Sequence, residues 1–293
     1  MILFRKRLPD GDSSMMIEIK DINDPGLEIF AGAEDKILAH YYEPEPGLFL
    51  AESMKVLERA LAAGYEPVSA LIEDRYLEEV KRILGDRPEM TAYSGGYEEL
   101  KNFTGFNIAG GVLCIMRRKI LPSVESVCTG AERIAVIDDV TNPTNVGAIF
   151  RNAAALGIDA VLLTSDSCDP LYKRSVRVSM GTVFQIPWTI IGDRKAIPDR
   201  VKVDWPEQGF KLLKSMGFAT VAMALDDRAV GIDNEKLKAE KKLAILLGSE
   251  GFGLDKKTID ACDYTVMIPM QNEVDSLNVA AASALAFWEL AGK

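Results

Sequence analysis

The polar side chains Asn145, Arg151, Glu250 and Ser276 stand where their types and spacing could serve chemistry. They fall in three segments of the C-terminal half. The first is Asn142-Pro143-Thr144-Asn145-Val146-Gly147-Ala148-Ile149-Phe150-Arg151. The second is Leu247-Gly248-Ser249-Glu250-Gly251-Phe252-Gly253-Leu254. The third is Ile268-Pro269-Met270, followed by Ser276-Leu277-Asn278-Val279-Ala280. Each reads as a strand-to-helix junction, where open α/β proteins place their ligands. A carboxylate there accepts hydrogen bonds or faces a cation, and an arginine holds phosphate or developing negative charge. Each residue also has a purely structural reading. Asn145 suits the N-cap of the following helix, Arg151 a surface salt bridge, and Asp275 or Ser276 the cap of the last helix. Spacing alone leaves both kinds of reading open.

In the second segment a buried strand, Leu243-Ala244-Ile245-Leu246-Leu247, runs into a turn with the spacing G-x-x-G-x-G. Glycines there allow positive φ and close approach of backbone to a ligand. The spacing is not the G-x-G-x-x-G of dinucleotide sites, and no Gly-Lys-Ser/Thr follows as in a phosphate-cradling loop. Chain reversal explains such a turn as well as ligand binding does. The loop 268–277 is long enough to wrap a small ligand with main-chain groups. The helix beyond it, from Val279 to Ala286, is rich in small residues, which serve tight packing or a dimer contact.

Composition narrows the chemistry. The only histidine is His40, outside these segments, which removes Ser-His-Asp hydrolysis and most histidine-ligated metal sites. Cys114, Cys128, Cys168 and Cys262 show no C-x-x-C spacing, so neither a zinc site nor a redox pair is expected. Scattered single cysteines suit a reducing cytoplasm. No apolar run is long and uncharged enough to span a bilayer. The basic start, Arg5-Lys6-Arg7, has no apolar stretch behind it and does not read as a signal peptide. The net charge of -10 argues mildly against a nucleic-acid partner. Two basic clusters, Arg117-Arg118-Lys119 and Lys173, Arg174 and Arg177, are nonetheless enough for a local phosphate track. Solvated surface charge explains either cluster equally well.

The elements that must position these residues alternate along the chain. In the N-terminal half, strands are predicted at 47–51, 67–72, 90–93 and 111–116, and helices at 52–63, 75–84 and 97–103. A leading helix is expected around 33–41. Gly64 and Gly85 read as helix ends. The second half is predicted to run strand 134–137, helix 146–156, strand 160–163, helix 172–180 and strand 185–190. Helix 207–216, strand 219–224, helix 235–240, strand 243–247, helix 256–261, strand 264–268 and a last helix at 277–290 follow. Strands separated by helices at this spacing mean a mainly parallel sheet with helices on both faces.

The order and spacing of the three segments resemble the three motifs of the SpoU/TrmH family of RNA ribose 2′-O-methyltransferases, within the SPOUT superfamily. The stretch Arg177-Val178-Ser179-Met180-Gly181-Thr182-Val183-Phe184 with Ile186-Pro187 resembles the family between its first two motifs. The resemblance is strong over residues 130–293 and weaker over 45–120. There Phe49-Leu50-Ala51-Glu52-Ser53 and Gly111-Val112-Leu113 resemble the family's small L30e-like substrate-binding domain. Ser53 stands where many relatives have glycine.

The resemblance implies an α/β fold in two parts. One is a SPOUT-type methyltransferase domain at 133–293 with a parallel sheet and a deep trefoil knot. The other is a smaller L30e-like RNA-binding domain at 1–120, led by residues 1–45, with a linker at 121–132. Sequence pattern alone gives an ordinary doubly wound sheet, since knots are nearly absent among folds. The resemblance further implies S-adenosylmethionine as cofactor, contacted by Leu247, Gly248, Ile268, Ser276, Leu277 and Asn278. Asn145, Arg151, Glu250, Ser276 and Asn278 match the family's functional polar residues. No metal is implied. The substrate would be RNA, ribosomal in preference to transfer RNA, and the assembly a homodimer through the C-terminal domain. Three rivals stand beside this. A catalytically silent RNA-binding protein of the same fold is disfavoured by the intact polar set. A small-molecule Rossmann enzyme is disfavoured by the missing G-x-G-x-x-G. Methylation of a base in place of a ribose is the third.

Overall fold

The computed structural model describes residues 15–19, 24–31, 34–39, 47–87, 90–192, 204–272 and 275–291. The basic start of the chain and His40 lie outside the described residues. The chain divides into two compact units, one ending at Lys119 and the other beginning at Ile120.

The first unit holds β1 (Met15–Glu18), β2 (Leu48–Glu52), β3 (Pro67–Glu73), β4 (Thr91–Gly95) and β5 (Val112–Arg117), in the sheet order β1-β4-β3-β5-β2. β1, β4 and β3 are parallel, and β5 runs antiparallel to β3 and β2. Its helices are α1 (Glu28–Ala31), α2 (Asp35–Ala39), α3 (Met54–Ala62), α4 (Leu77–Leu84) and α5 (Tyr97–Thr104). α3 turns Val56, Leu57 and Ala60 inward, the spacing that a helix with one buried face requires. Gly64 (φ 74°) and Gly85 (φ 66°) take the positive φ expected at helix ends. Leu48, Leu50, Leu71, Leu113 and Ile115 form part of the core of this sheet. Four-residue β1 at the sheet edge was not legible in sequence, because so short a run carries little alternation. Ser53 has φ 90°, a region that favours glycine, and this is the physical reason glycine suits the position.

The second unit is a seven-stranded, wholly parallel sheet. Its strands are β6 (Arg133–Ile137), β7 (Ala160–Thr164), β8 (Trp188–Ile191), β9 (Ala219–Met223), β10 (Val230–Gly231), β11 (Leu243–Leu247) and β12 (Tyr264–Met267). They lie in the order β10-β12-β9-β11-β6-β7-β8. β11 is buried along its whole length, as an unbroken apolar run at the centre of a covered sheet should be. The helices are α6 (Val124–Val127), α7 (Pro143–Ala155), α8 (Lys173–Val178), α9 (Glu207–Ser215), α10 (Glu235–Lys238), α11 (Lys256–Ala261) and α12 (Val279–Ala291). β11 sits between β6 and β9, and β12 between β9 and β10, so the last strands are inserted among earlier ones.

Residues 121–132, linker-like in composition, carry α6 and belong with this second unit. Val124, Val127, Cys128 and Ala131 are buried there with Leu162, Phe218 and Leu246. Val124, Val127 and Cys128 stand at i, i+3 and i+4, an apolar face hidden among polar residues, and Ala131 follows the turn at Gly130 (φ 75°). Among the described residues no helix is long and apolar enough to cross a membrane.

Candidate active site

Three local devices build the site. In the first segment the helix cap is Asn142, whose Oδ1 accepts from the Thr144 N–H at 2.8 Å, with Pro143 opening α7. This corrects the expectation that Asn145 is the cap. Proline at the first helical position sets the start of the helix, which places Asn145 inside the first turn and leaves its side chain for other partners. In the third segment Asn278 caps α12, its Oδ1 accepting from the Ala280 N–H at 3.0 Å. The candidates from spacing, Asp275 and Ser276, lie too early to reach that amide as a cap. In the second segment Ser249 and Gly253 exchange both backbone hydrogen bonds, at 3.1 and 3.0 Å, and close the turn after β11. Gly248 is needed there, because a Cβ would stand 2.4 Å from the Gly253 carbonyl carbon.

These devices bring the three segments into one polar chain. Asn278 Nδ2 donates to Asn145 Oδ1 at 3.1 Å, and Asn145 Nδ2 donates to Glu250 Oε1. A carboxylate can only accept, so the orientation of each amide is determined from both ends. The donors all point the same way, from the α12 amide through Asn278 and Asn145 to Glu250, and such chains polarise one another. Asn145 is only 7% exposed, whereas Glu250 and Asn278 are open to solvent. Asp139, whose neighbour Val140 begins the loop into α7, lies close to Glu250. Partial burial, then the negative charges of Asp166 and Glu250, hold the Asp139 carboxyl above the usual carboxylate range.

Beside Glu250 lies a cavity of about 340 Å³ at the carboxyl ends of β9, β11 and β12. Leu247, Gly248, Glu250, Ile268, Ser276 and Leu277 all line it. Asn145, Asn278 and Arg151 do not. Sequence reasoning missed the third wall, Met223-Ala224-Leu225. Its signal was the end of the strand at 219–224, but only the pairing of β9 with both β11 and β12 shows that this end faces the same space. The wall is tied down by an exposed ion network: Asp226 accepts from Arg228 and Lys256, and both cations also reach Asp260 on α11.

Arg151 is exposed on α7 and makes no hydrogen bond or ion pair among the described residues. The surface salt bridge considered for it is therefore not formed there. Its neighbour Asn152 carries a structural load that sequence did not reveal. Asn152 Nδ2 donates to the Ala280 carbonyl at 2.8 Å and to Ser283 Oγ at 2.9 Å, pinning α12 onto α7. Gly147 is the close approach on the other side of α7, where a Cβ would lie 2.5 Å from the Ser175 carbonyl oxygen of α8. The buried thiols offer no nucleophile: burial pushes Cys114 and Cys262 up to about 12 and Cys128 to about 11. Among the described residues no group of acidic, histidine or cysteine side chains is arranged to hold a metal ion.

Residues 132–288 match the model of the SpoU rRNA methylase family. The chain belongs to that family. It is 35% identical, over 96% of its length and 93% of the relative's, to an uncharacterised tRNA/rRNA methyltransferase of Mycobacterium bovis. It is 29% identical to the 23S rRNA guanosine 2′-O-methyltransferase RlmP of Bacillus subtilis, over 55% of this chain and 59% of that one. The likeness in fold extends over both units: the crystal structure of an AdoMet-bound rRNA methyltransferase from Sinorhizobium meliloti superposes with a TM-score of 0.77 at 22% identity, covering 94% of this chain and 97% of that one.

Proposed function

We propose that this SpoU-family RNA methyltransferase transfers a methyl group from S-adenosylmethionine to a ribose 2′-hydroxyl of ribosomal RNA. The observation that carries the reading is the hydrogen-bonded line Asn278–Asn145–Glu250, which joins all three segments at the rim of the cavity. The cofactor fits the residues present. Leu225, Leu247, Ile268 and Leu277 offer apolar walls for a purine, and the carboxylates of Glu250 and Asp275 face the same space and complement a cationic ligand. The cavity volume also falls within the range of small-ligand sites. When bound, S-adenosylmethionine supplies an electrophilic sulfonium methyl. The cavity walls and Ser276 hold it, while Asn145 and Glu250 orient the ribose beside it. Methyl transfer needs alignment of nucleophile, methyl and leaving group, so positioning supplies much of the acceleration. Arg151 binds a substrate phosphate and stabilises negative charge developing on the ribose oxygen; its guanidinium stays protonated and is a poor base.

The strand order supports the trefoil knot that the family resemblance implies, because β11 and β12 enter between strands formed from earlier sequence. The protein acts in the cytoplasm as a homodimer. Support for the dimer comes from α12, which leaves Leu285 (45% exposed) and Trp288 (73% exposed) on its outer face.

The test is mapping of ribose methylation in total RNA from cells with and without the protein, with nucleoside digestion and mass spectrometry. One ribosomal 2′-O-methyl mark should vanish without it. A lost mark on a base, or on transfer RNA alone, overturns the reading. Purified Arg151→Ala should bind S-adenosylmethionine as the wild type does and lose methyl transfer; undiminished transfer removes Arg151 from the mechanism.

A further inference from the structure

Two exposed side chains flank the polar line of the site and take no part in it. Phe252 is 96% exposed, the most exposed of the large apolar side chains among the described residues. It sits at the tip of the turn 249–253, two residues beyond Glu250, and the turn is clamped by the paired Ser249–Gly253 backbone bonds. Phe252 also lines the mouth of the cavity. The ring is thus held out in water by a closed turn instead of trailing from a loose loop. At the other end stands Arg174 of α8. Its Nε donates to Thr144 Oγ1 at 3.1 Å, which places it beside Asn145. Its two terminal nitrogens make no bond among the described residues. Arg174 thus stands at the Asn145 end of the polar line, through Thr144, and Phe252 at its Glu250 end beside the cavity.

An exposed phenyl ring keeps a favourable burial in reserve, and it has one chemistry to offer a polar polymer: a flat face for a base. A guanidinium fixed through Nε presents its remaining edge to an oxyanion such as a phosphate. Aromatic ring and cation spaced along one groove are what single-stranded nucleic acid requires. We propose that Phe252 and Arg174 are the RNA-positioning pair of the methyltransferase unit. Phe252 stacks on the base adjoining the target ribose, and Arg174 binds the phosphate on the opposite side of that ribose. The inference rests on the reading of the chain as an RNA 2′-O-methyltransferase and adds to it the residues that present the strand. Such recognition selects an unpaired stretch, since a base inside a duplex cannot stack on the ring.

The experiment measures two readouts on Phe252→Ala, Phe252→Trp and Arg174→Ala. The first is fluorescence anisotropy with a labelled single-stranded oligoribonucleotide of mixed sequence. The second is methyl transfer to total RNA, with S-adenosylmethionine affinity followed by calorimetry. Phe252→Ala should weaken RNA binding about fivefold to a hundredfold, the range of one base–aromatic stack, and raise KM for RNA in parallel. Phe252→Trp should restore binding to within about twofold. Arg174→Ala should weaken binding and lower the slope of log affinity against log salt by about 0.7, the value for one phosphate on a single strand. Cofactor affinity should stay unchanged in Arg174→Ala, which does not line the cavity, and RNA affinity is measured without cofactor so that the Phe252 variants are read on RNA alone. Wild-type RNA binding by both Phe252→Ala and Arg174→Ala overturns the inference, as does a Trp variant as weak as the Ala variant. Dissociation of a dimer by Phe252→Ala, with RNA affinity intact, also overturns it by assigning the ring to a second copy. If the wild type modifies no ribose while the variants lose RNA binding, the proposed reaction fails and the RNA-positioning pair stands. If it modifies ribose and the variants keep their KM, only the pair fails.

Discussion

Gly248→Ala tests whether the turn after β11 must be closed for the cofactor to bind. A Cβ at this position would lie 2.4 Å from both the Gly253 carbonyl carbon and the Leu254 nitrogen, and 2.6 Å from the Gly253 oxygen. All three atoms are main chain, so no rotamer change relieves the clash. The turn must move, and the bonds that hold it shut are the Ser249–Gly253 pair at 3.1 and 3.0 Å. At about 0.5–1.5 kcal/mol net per hydrogen bond, their loss costs about 1–3 kcal/mol. The turn is exposed, so the protein can open it without unfolding, and the cost falls on binding. S-adenosylmethionine affinity should drop about fivefold to a hundredfold, at 1.4 kcal/mol per factor of ten. Calorimetric titration with S-adenosylmethionine measures it, and a thermal melt confirms that the fold is kept. The same turn contains its own control. At Gly251 an added Cβ would meet no atom within 4 Å, so Gly251→Ala should change affinity by no more than about twofold. A Gly248→Ala protein that binds the cofactor as tightly as Gly251→Ala refutes the reasoning.

Asn152→Ala removes two hydrogen bonds to α12 and should cost about 1–3 kcal/mol in urea unfolding, because the Ala280 carbonyl is left without that partner. Unchanged stability would mean that α12 is held by apolar packing alone. Trp288→Glu should convert the proposed dimer to a monomer in sedimentation, since it places a charge on the exposed face of α12; an already monomeric wild type at micromolar concentration defeats the dimer. The ion network under the β9 wall predicts a pH effect. Hydrogen bonds from Arg228, then Lys256, hold the Asp226 carboxyl well below the ordinary carboxylate range, and those from Lys256, then Arg228, lower Asp260. Folded values below unfolded ones mean that the stabilisation is complete above about pH 4 and is lost as pH falls further. The protection of the Ala229 amide against hydrogen exchange, taken relative to the intrinsic rate at each pH, should fall under acid, and in high salt to a smaller degree, since this amide is bonded to the Asp226 carbonyl. Protection that stays constant between neutral pH and acid would remove the network from any role in holding this wall.

Much of the architecture was written in local pattern. β11 and β6 are apolar runs that only a covered parallel strand explains, and Gly64 and Gly85 end their helices for reasons of φ alone. The second and third segments could be located before any fold was seen, because the turns that carry them follow recognisable strands. The caps were harder. Asn142, Asn145, Asp275, Ser276 and Asn278 are all capping residue types, and which one caps depends on where the helix starts to within a single residue. Helix ends are the least determined part of a periodic pattern, and Pro143 was the decisive local clue at α7. Val124, Val127 and Cys128 show the reverse case, a genuine apolar face concealed by polar neighbours.

Sequence by itself determined where the three segments lie and which residue types they carry, because glycine turns and buried strands are local demands that each leave a mark on neighbouring residues; the family followed from the resemblance of their order and spacing. Tertiary structure alone decided that Asn278 reaches Asn145, that Asn145 reaches Glu250, and that the end of β9 closes the same cavity as the ends of β11 and β12. Those pairs are separated by 133 and 105 residues in the chain. No local pattern encodes them. They follow from the order in which the strands pair, and that order is settled by how whole apolar faces pack together.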